Sequence, residues 1–191
     1  MKLKFLFVII ACVAVFARSV GQEIITCDPG TVYWYIEDGN HSYTIDLYGE
    51  VVETSHPNVI NVEDKALQYL IVTKEPYTVE EDDNTNQDIL IRFATKEAEH
   101  VGKTLGCSIN PMMQVATYEG GPVILLWHFA MPEGKNKEVE RQYYANIIIG
   151  DNIFGLGSPQ FFGMNPSDTQ NFLLNTLASL REIPDKKDLC K

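Results

Sequence analysis

Two side chains in this sequence could together form a nucleophilic centre, Cys107 and His128. A thiol becomes a strong nucleophile when a neighbouring imidazole takes its proton. His128 stands between Trp127 and Phe129 in an apolar run. A buried imidazole in such a run is more often a hydrogen-bonded core residue than a catalytic base. Because no hydrolase or phosphate-loop motif accompanies the pair, we predict no catalytic residue. A secreted hydrolase-like enzyme using Cys107 and His128 is the alternative function.

An acidic segment could bind calcium, because oxygen-bearing side chains alternate along it at Asp82, Asn84, Asn86 and Asp88. The complete calcium loop requires glycine where Gln87 stands and a bidentate glutamate where Phe93 stands. Acidic side chains are also favoured at helix N-termini, where the helix dipole attracts them. We therefore predict a solvated loop, no metal site and no cofactor, and a calcium-stabilised surface domain is a third hypothesis.

Gly155 and Gly157 lie between a predicted strand and a predicted helix, as in a dinucleotide-binding fingerprint. That fingerprint also needs a third glycine and a parallel strand–helix–strand unit, and neither is present. The two glycines are predicted to allow a bend or close packing instead.

Neighbouring aromatic side chains are the more promising candidates for binding. In the run Tyr33-Trp34-Tyr35, Trp34 must face the side of the strand opposite its two neighbours. Phe161 and Phe162 fall in a predicted loop spanning residues 157–164, where bulky apolar residues dock into the core or into something else. Self-packing is the favoured interpretation, and Trp34, Phe161 and Phe162 are the predicted contacts if the domain binds a ligand or partner.

The first 21 residues have the order of a secretory signal peptide. Lys2 and Lys4 precede an uncharged apolar stretch, and Ser19 and Gly21 place small residues where signal peptidase cuts. The apolar stretch is shorter than the roughly 20 residues that span a bilayer. We expect cleavage after Gly21, a single domain over residues 22–191 and a secreted or periplasmic location. An N-glycosylation sequon begins at Asn40.

Charge restricts the class of partner. The chain carries a formal charge of −11, and the predicted cleavage removes three basic residues and no acid, which gives −14. Nucleic-acid backbones and anionic lipid surfaces attract basic proteins. We therefore expect neither nucleic acid nor a membrane as partner after the signal is removed, and we expect an unidentified protein or small ligand.

Three cysteines follow the predicted cleavage site, so one internal disulfide and one free thiol are expected. Cys27 and Cys190 lie near the two ends of the mature chain, and chain ends often lie close together. That pair is favoured, although Cys107 could pair with either.

The predicted elements alternate between strand and helix signals. Strands are expected at residues 31–37, 42–52, 66–74, 113–118, 122–131, 141–149 and 152–156. One helix is expected from residue 87, with a capping box formed by Thr85 and Asp88 and a stop at Gly106. A second is expected over residues 167–181, capped by Ser167 and Gln170. Hairpin connections and two one-sided helices predict an α+β layered sandwich with a mainly antiparallel sheet.

The hairpin at residues 142–149 and 152–156, followed by the capped helix 167–181, resembles the closing section of PsbP-like and DcrB-like domains. The resemblance covers mainly residues 86–183 and is one of element order. It implies a small α/β/α binding or accessory domain and assigns no functional residue. The function expected from the sequence is therefore an exported, non-enzymatic domain that binds a protein or small ligand through a sheet face or the 157–164 loop.

Overall fold

The computed structural model of the chain describes residues 20–27, 30–39, 41–79, 84–117 and 121–191. Most of the predicted signal peptide, the sequon residue Asn40 and residues 80–83 of the predicted solvated acidic loop lie outside the described residues. For those three features the sequence interpretation stays a prediction.

Strands and helices follow one another in the order expected of an α+β protein. The strands are β1 Val20–Cys27, β2 Thr31–Asp38, β3 His41–Leu47, β4 Val51–Glu53, β5 Val59–Val62, β6 Lys65–Thr73, β7 Met112–Thr117, β8 Val123–Ala130, β9 Val139–Ile149, β10 Asn152–Phe161 and β11 Arg181–Glu182. The helices are α1 Asn86–Leu105 and α2 Pro166–Ala178, with short 3-10 turns at Glu75–Tyr77 and Lys186–Asp188.

The strands form two antiparallel sheets. One has the order β1-β2-β3-β11, and the other has the order β4-β5-β6-β10-β9-β8-β7. Strands β7 to β10 pair in sequence order and form a four-strand meander, which confirms the predicted antiparallel pairing. Strand β6 adds to this meander by pairing with β10.

Two hydrophobic cores lie on opposite faces of the seven-stranded sheet. Helix α1 covers one face, where Phe93 packs with Trp127 and Phe129. Helix α2 and the four-stranded sheet cover the other face, where Leu173 packs with Trp34 and other buried side chains. The mainly antiparallel α+β layered sandwich with two covering helices is therefore confirmed, and a second sheet shares one layer with α2.

The predicted single strand at residues 42–52 is wrong, and its break explains the second sheet. The chain leaves β3 at Leu47 and enters β4 of the other sheet at Val51. Gly49 lies between them at φ 100°, a conformation that side chains other than glycine rarely adopt. The alternating pattern continued through this turn, so the sequence alone could not locate the change of sheet.

Two further boundaries differ from the predictions around the candidate binding loop. Strand β10 continues through Gly157 to Phe161, so only residues 162–165 form the connection to α2. Helix α2 begins at Pro166, and its cap is Asn165, whose side chain accepts a hydrogen bond from the Ser167 amide at 3.1 Å. The predicted cap at Ser167 is wrong because Pro166 already has the fixed φ of a first helical residue.

The disulfide between Cys27 and Cys190 is present, and its Cα atoms lie 5.3 Å apart. It joins the end of β1 to the chain's last residues across a separation of 163 residues. Cys107 is a free thiol. The favoured cysteine pairing is therefore confirmed.

The predicted start and end of α1 are both confirmed. The Asp88 amide donates to the Thr85 hydroxyl at 3.2 Å, and the Thr85 amide donates to the Asp88 carboxylate at 3.3 Å. This hydroxyl lowers the pKa of the Asp88 carboxyl. Gly106 ends the helix at φ 68°.

Replacing Thr85 by alanine is expected to lower the free energy of unfolding by about 1 kcal/mol, because the cap hydroxyl satisfies an otherwise unpaired helix amide. Urea unfolding monitored by circular dichroism measures the change. Thr95, an exposed threonine inside the same helix, provides the control, since alanine there should change stability by less than about 0.5 kcal/mol. Equal losses at both positions would contradict the capping role.

Candidate functional site

The turn at residues 161–165 presents one aromatic side chain to solvent. Phe162 is 64% exposed, whereas the preceding Phe161 is half-buried at the end of β10. Gly163 follows at φ 85°, which allows the chain to reverse directly after Phe162. We name residues 161–165 the Phe162 turn.

Backbone and side-chain hydrogen bonds fix the Phe162 turn. The Phe162 amide donates to the Glu138 carbonyl at 3.1 Å, and the Met164 amide donates to the Phe161 carbonyl at 3.1 Å. The buried Gln160 side chain donates to the Met164 carbonyl at 3.0 Å. Since α2 begins directly after Asn165, the turn is held between a strand and a helix.

The connection between β8 and β9 lies beside the Phe162 turn, because the Glu138 carbonyl accepts the hydrogen bond from the Phe162 amide. Its exposed charged residues are Glu133, Lys135, Lys137 and Glu138. Two acids and two bases therefore accompany an exposed apolar ring. A protein interface typically has this composition, with an apolar centre and a polar rim.

Trp34 takes no part in this surface. Its side chain is 0% exposed and lies in the core between the two sheets. The indole Nε1 donates to Gln22 Oε1 at 3.3 Å, and the ring meets Tyr69 edge-on with centroids 5.1 Å apart. Self-packing, the favoured interpretation of the Tyr33-Trp34-Tyr35 run, therefore describes Trp34, whose ring is shielded from any partner in this structure.

The two candidate catalytic residues lie on opposite faces of the seven-stranded sheet. Cys107 packs against the core beneath α1. His128 stacks on Tyr143, a residue of the other core, with ring centroids 4.5 Å apart. Because the sheet separates the thiol from the imidazole, this arrangement offers no direct proton transfer between them.

His128 is nevertheless an unusual imidazole. Burial is the main cause that holds its pKa below the usual range, and the nearby Arg141 charge acts in the same direction. The lowered pKa favours the neutral imidazole, which stacks on Tyr143 as an aromatic group. This environment favours a structural histidine.

The described part of the calcium-like segment uses its side chains locally. Asn84 accepts hydrogen bonds from the Val79 amide at 2.9 Å and from Arg92, while Asp88 caps α1. Among the described residues, no group of three or more histidine, cysteine or acidic side chains could hold a metal ion.

Gly155 and Gly157 make room for a buried polar and aromatic cluster. The Asn146 amide covers Gly155, and the Tyr144 ring lies 3.1 Å from where a Cβ of Gly157 would stand. Trp127 stacks on Tyr144 at 4.3 Å and donates from Nε1 to Asn146 Oδ1 at 2.7 Å. The glycines therefore allow the close packing predicted for them.

A groove remains beside this cluster between α1 and strands β6, β9 and β10. Its lining includes Gln68 and Leu70 of β6, Glu97 and Val101 of α1, and Tyr144 and Asn146 of β9.

Within the described residues, no helix combines the length and the apolar character needed to cross a membrane.

Known proteins offer few matches to this chain. No family model matches the chain, and no curated protein matches it. Among solved structures, the chain is similar to the solution structure of cyanobacterial PsbP (CyanoP) from Synechocystis sp. PCC 6803. The identity is 14%, the TM-score is 0.46, and the match covers 90% of this chain and 97% of the other. PsbP is one of the two families that the order of the elements resembles.

Proposed function

We propose that this chain is an exported, non-enzymatic accessory domain that binds a protein partner through the Phe162 turn. The observation that carries the proposal is the 64% exposure of Phe162 on a turn fixed by hydrogen bonds. Phe161 contributes from the half-buried base of the same turn.

An exposed aromatic ring on a rigid turn has a clear energetic advantage in binding. Aromatic anchors that enter a pocket of the partner account for much of the affinity of protein interfaces. Because β10 and α2 already hold the turn, little conformational freedom is lost when a partner closes over it. These two features favour Phe162 over the flexible apolar residues of an ordinary loop.

The shape of the surface favours a protein over a small ligand. Small-molecule sites are concave and surround most of the ligand. The Phe162 side chain instead projects into solvent beside the charged β8–β9 connection. A partner that offers an apolar pocket with a polar edge would complement it.

Two observations support a non-enzymatic role. The thiol of Cys107 and the imidazole of His128 lie on opposite faces of a sheet. At Gly155 and Gly157 the side chains of Asn146 and Tyr144 occupy the space beside the backbone, and this segment forms a strand and not a phosphate-binding loop. The arrangement of these residues supports binding more than chemistry.

Export is part of the proposal. The signal-peptide order of residues 1–21 predicts it, and the Cys27–Cys190 disulfide fits an oxidising compartment. The partner would then be a protein of the secreted or periplasmic space.

Replacing Phe162 by serine is expected to weaken binding of the partner by about 30-fold, the effect of losing a hot-spot side chain worth about 2 kcal/mol. The experiment is a pull-down from an extracytoplasmic extract of the source, read by quantitative mass spectrometry. Since Phe162 is largely exposed, its loss should change the free energy of unfolding by less than about 0.5 kcal/mol.

The matched control is Tyr48 to serine, because Tyr48 is also an exposed aromatic residue, at 77%. It lies in the turn between β3 and β4, a different part of the surface. A protein captured by the native chain and the Tyr48 variant but lost with the Phe162 variant supports the proposal. Equal capture by all three chains would contradict it.

A further inference from the structure

The outer side of the four-stranded sheet carries tyrosines and acids. Tyr33 and Tyr35 face away from the core because Trp34, between them, faces into it. In register beside them, Glu23 pairs with Tyr35 across β1, and Asp46 pairs with Tyr33 across β3. Glu37 lies on the same side, where it accepts a hydrogen bond from the Tyr35 hydroxyl at 2.8 Å. We name these five residues the tyrosine face.

Basic side chains from the last residues of the chain occupy the tyrosine face. The Arg181 guanidinium lies 5.3 Å from the centre of the Tyr33 ring and 2.8 Å from the Asp46 carboxylate. The Lys186 ammonium lies 5.7 Å from the centre of the Tyr35 ring and pairs with Glu23. Each cation therefore contacts one ring and one carboxylate, which is the chemistry by which proteins recognise lysine and arginine. We name residues 181–191 the strap.

Two side chains on the outer side of the sheet, next to the strap, are buried. Tyr35 is only 6% exposed, and Thr44 is 0% exposed although it faces the outer side of the sheet. The Thr44 hydroxyl has no hydrogen-bond partner. A buried hydroxyl without a partner is costly, so the strap covers this surface without satisfying all of its polar groups.

Polar and cation–π contacts and one disulfide hold the strap, and they include a contact between His41 Nδ1 and Glu182 Oε1 at 2.7 Å. Within the strap, only Ile183 and Leu189 are half-buried, and the other side chains are exposed. The backbone is attached through the two-residue strand β11 and one hydrogen bond from the Ile183 amide to the Ser42 carbonyl at 2.8 Å. The Cys27–Cys190 disulfide closes the far end. A tether of this kind gives the strap a high effective concentration at the tyrosine face.

We propose that the tyrosine face is a docking surface for an extended basic peptide of another protein, and that the strap is an intramolecular competitor held there by the Cys27–Cys190 disulfide. A dithiol reductant opens this latch: it gives two electrons and two protons to the disulfide, becomes a disulfide itself, and leaves two cysteine thiols. The strap then dissociates more readily, and Tyr33 and Tyr35 accept the basic side chains of the partner.

Charge and spacing identify the partner's chemistry. The chain's formal charge of −11 attracts a basic segment. Tyr33 and Tyr35 stand two positions apart on one strand, and side chains on one face of an extended peptide recur with the same period. A peptide with lysine at every second position therefore matches the two rings.

The first test measures binding of a fluorescein-labelled peptide of four Thr-Lys repeats by fluorescence anisotropy at physiological ionic strength. The oxidised chain is compared with the chain reduced by dithiothreitol, whose retained thermal transition is checked in parallel. We expect at least about tenfold tighter binding after reduction, because the tethered competitor is released. Equal affinity in the two states would overturn the proposal.

The second test separates ring recognition from general attraction between opposite charges. The Tyr33→Leu/Tyr35→Leu variant should weaken peptide binding by at least about fivefold, whereas Tyr33→Phe/Tyr35→Phe keeps both rings and should bind nearly as the native chain does. Equal binding by the leucine and phenylalanine variants would mean that the peptide is held by electrostatic attraction and not by the rings, and it would overturn the proposal.

A third measurement needs no reduction and covers the case in which reduction unfolds the chain. The Lys186→Ala substitution in the oxidised chain removes the ammonium group that contacts the Tyr35 ring. The peptide should therefore bind to this variant about threefold more tightly than it binds to the native oxidised chain. Unchanged binding would overturn the proposal. The Phe162→Ser variant should bind the peptide like the native chain, since the two surfaces are separate, and so the outcome is independent of the proposed function.

Discussion

Replacing Cys190 by serine is expected to lower the free energy of unfolding by about 2–5 kcal/mol, the largest single effect in this chain. The disulfide closes a loop of 163 residues in sequence separation. The unfolded chain gains conformational freedom when that loop opens, and the gain grows with loop length. The native state changes less, because only Ile183 and Leu189 of the strap are themselves half-buried.

Guanidinium unfolding of the oxidised native chain and the Cys190 variant measures this difference. The control is Cys107→Ser, which removes the free thiol without opening a loop and should cost about 1 kcal/mol or less. A Cys190 variant as stable as the native chain would contradict the account of how the chain ends are held together. Most of the ordinary range of domain stability, about 5–15 kcal/mol, exceeds the expected loss.

Replacing Gly155 by alanine is expected to cost about 3 kcal/mol. A Cβ at this position would overlap the Asn146 amide nitrogen in the middle of the seven-stranded sheet. Asn146 cannot move away freely, because its Oδ1 accepts the buried hydrogen bond from Trp127. The substitution therefore combines overpacking with damage to a buried hydrogen bond, each worth about 1–3 kcal/mol.

A double-mutant cycle tests this explanation. If the overlap with Asn146 is the cause, adding Gly155→Ala to an Asn146→Ala chain should cost at least about 1 kcal/mol less than adding it to the native chain. Thermal or urea unfolding of the four chains gives the coupling energy. Equal costs in both backgrounds would mean that the alanine acts through the strand backbone and not through the Trp127–Asn146 pair.

Local signals predicted α1 and the meander well. Thr85, Asp88 and Gly106 are capping residues whose effect lies within one helical turn, so tertiary packing does not override them. The hairpins around Gly150 and between β7 and β8 likewise follow from adjacent strands and short turns. In these regions the information needed to form the element lies in the element itself.

Tertiary contacts decided the features that the sequence did not reveal. The sequence predicts a loop from Gly157, but Tyr144 packs over Gly157 and strand β10 continues to Phe161. No sequence signal predicts β1 or β5, because their residues become strands by pairing with β2 and β6. The strap is also invisible in the sequence, since only the folded sheet brings Lys186 to Tyr35.

The candidate binding residues show the same difference between what local sequence predicts and what tertiary contacts decide. The sequence identified Phe161, Phe162 and Trp34 as aromatic residues of interest, and the structure places only Phe162 largely in solvent. The aromatic residues of β2 do not show from sequence alone which side of the strand faces the seven-stranded sheet. Because Trp34 faces the core, its neighbours Tyr33 and Tyr35 face outward. They form a surface that no sequence motif indicated.

Photo-crosslinking from position 162 tests the proposed binding function most directly. A photoreactive phenylalanine analogue is placed at position 162 or, as the control, at position 48, and each chain is irradiated in an extracytoplasmic extract of its source. We predict that one protein becomes crosslinked from position 162, is not crosslinked from position 48, and is displaced by excess unlabelled native chain but not by the Phe162→Ser chain. The same set of proteins from both positions, or no crosslinked protein from position 162, would contradict the account.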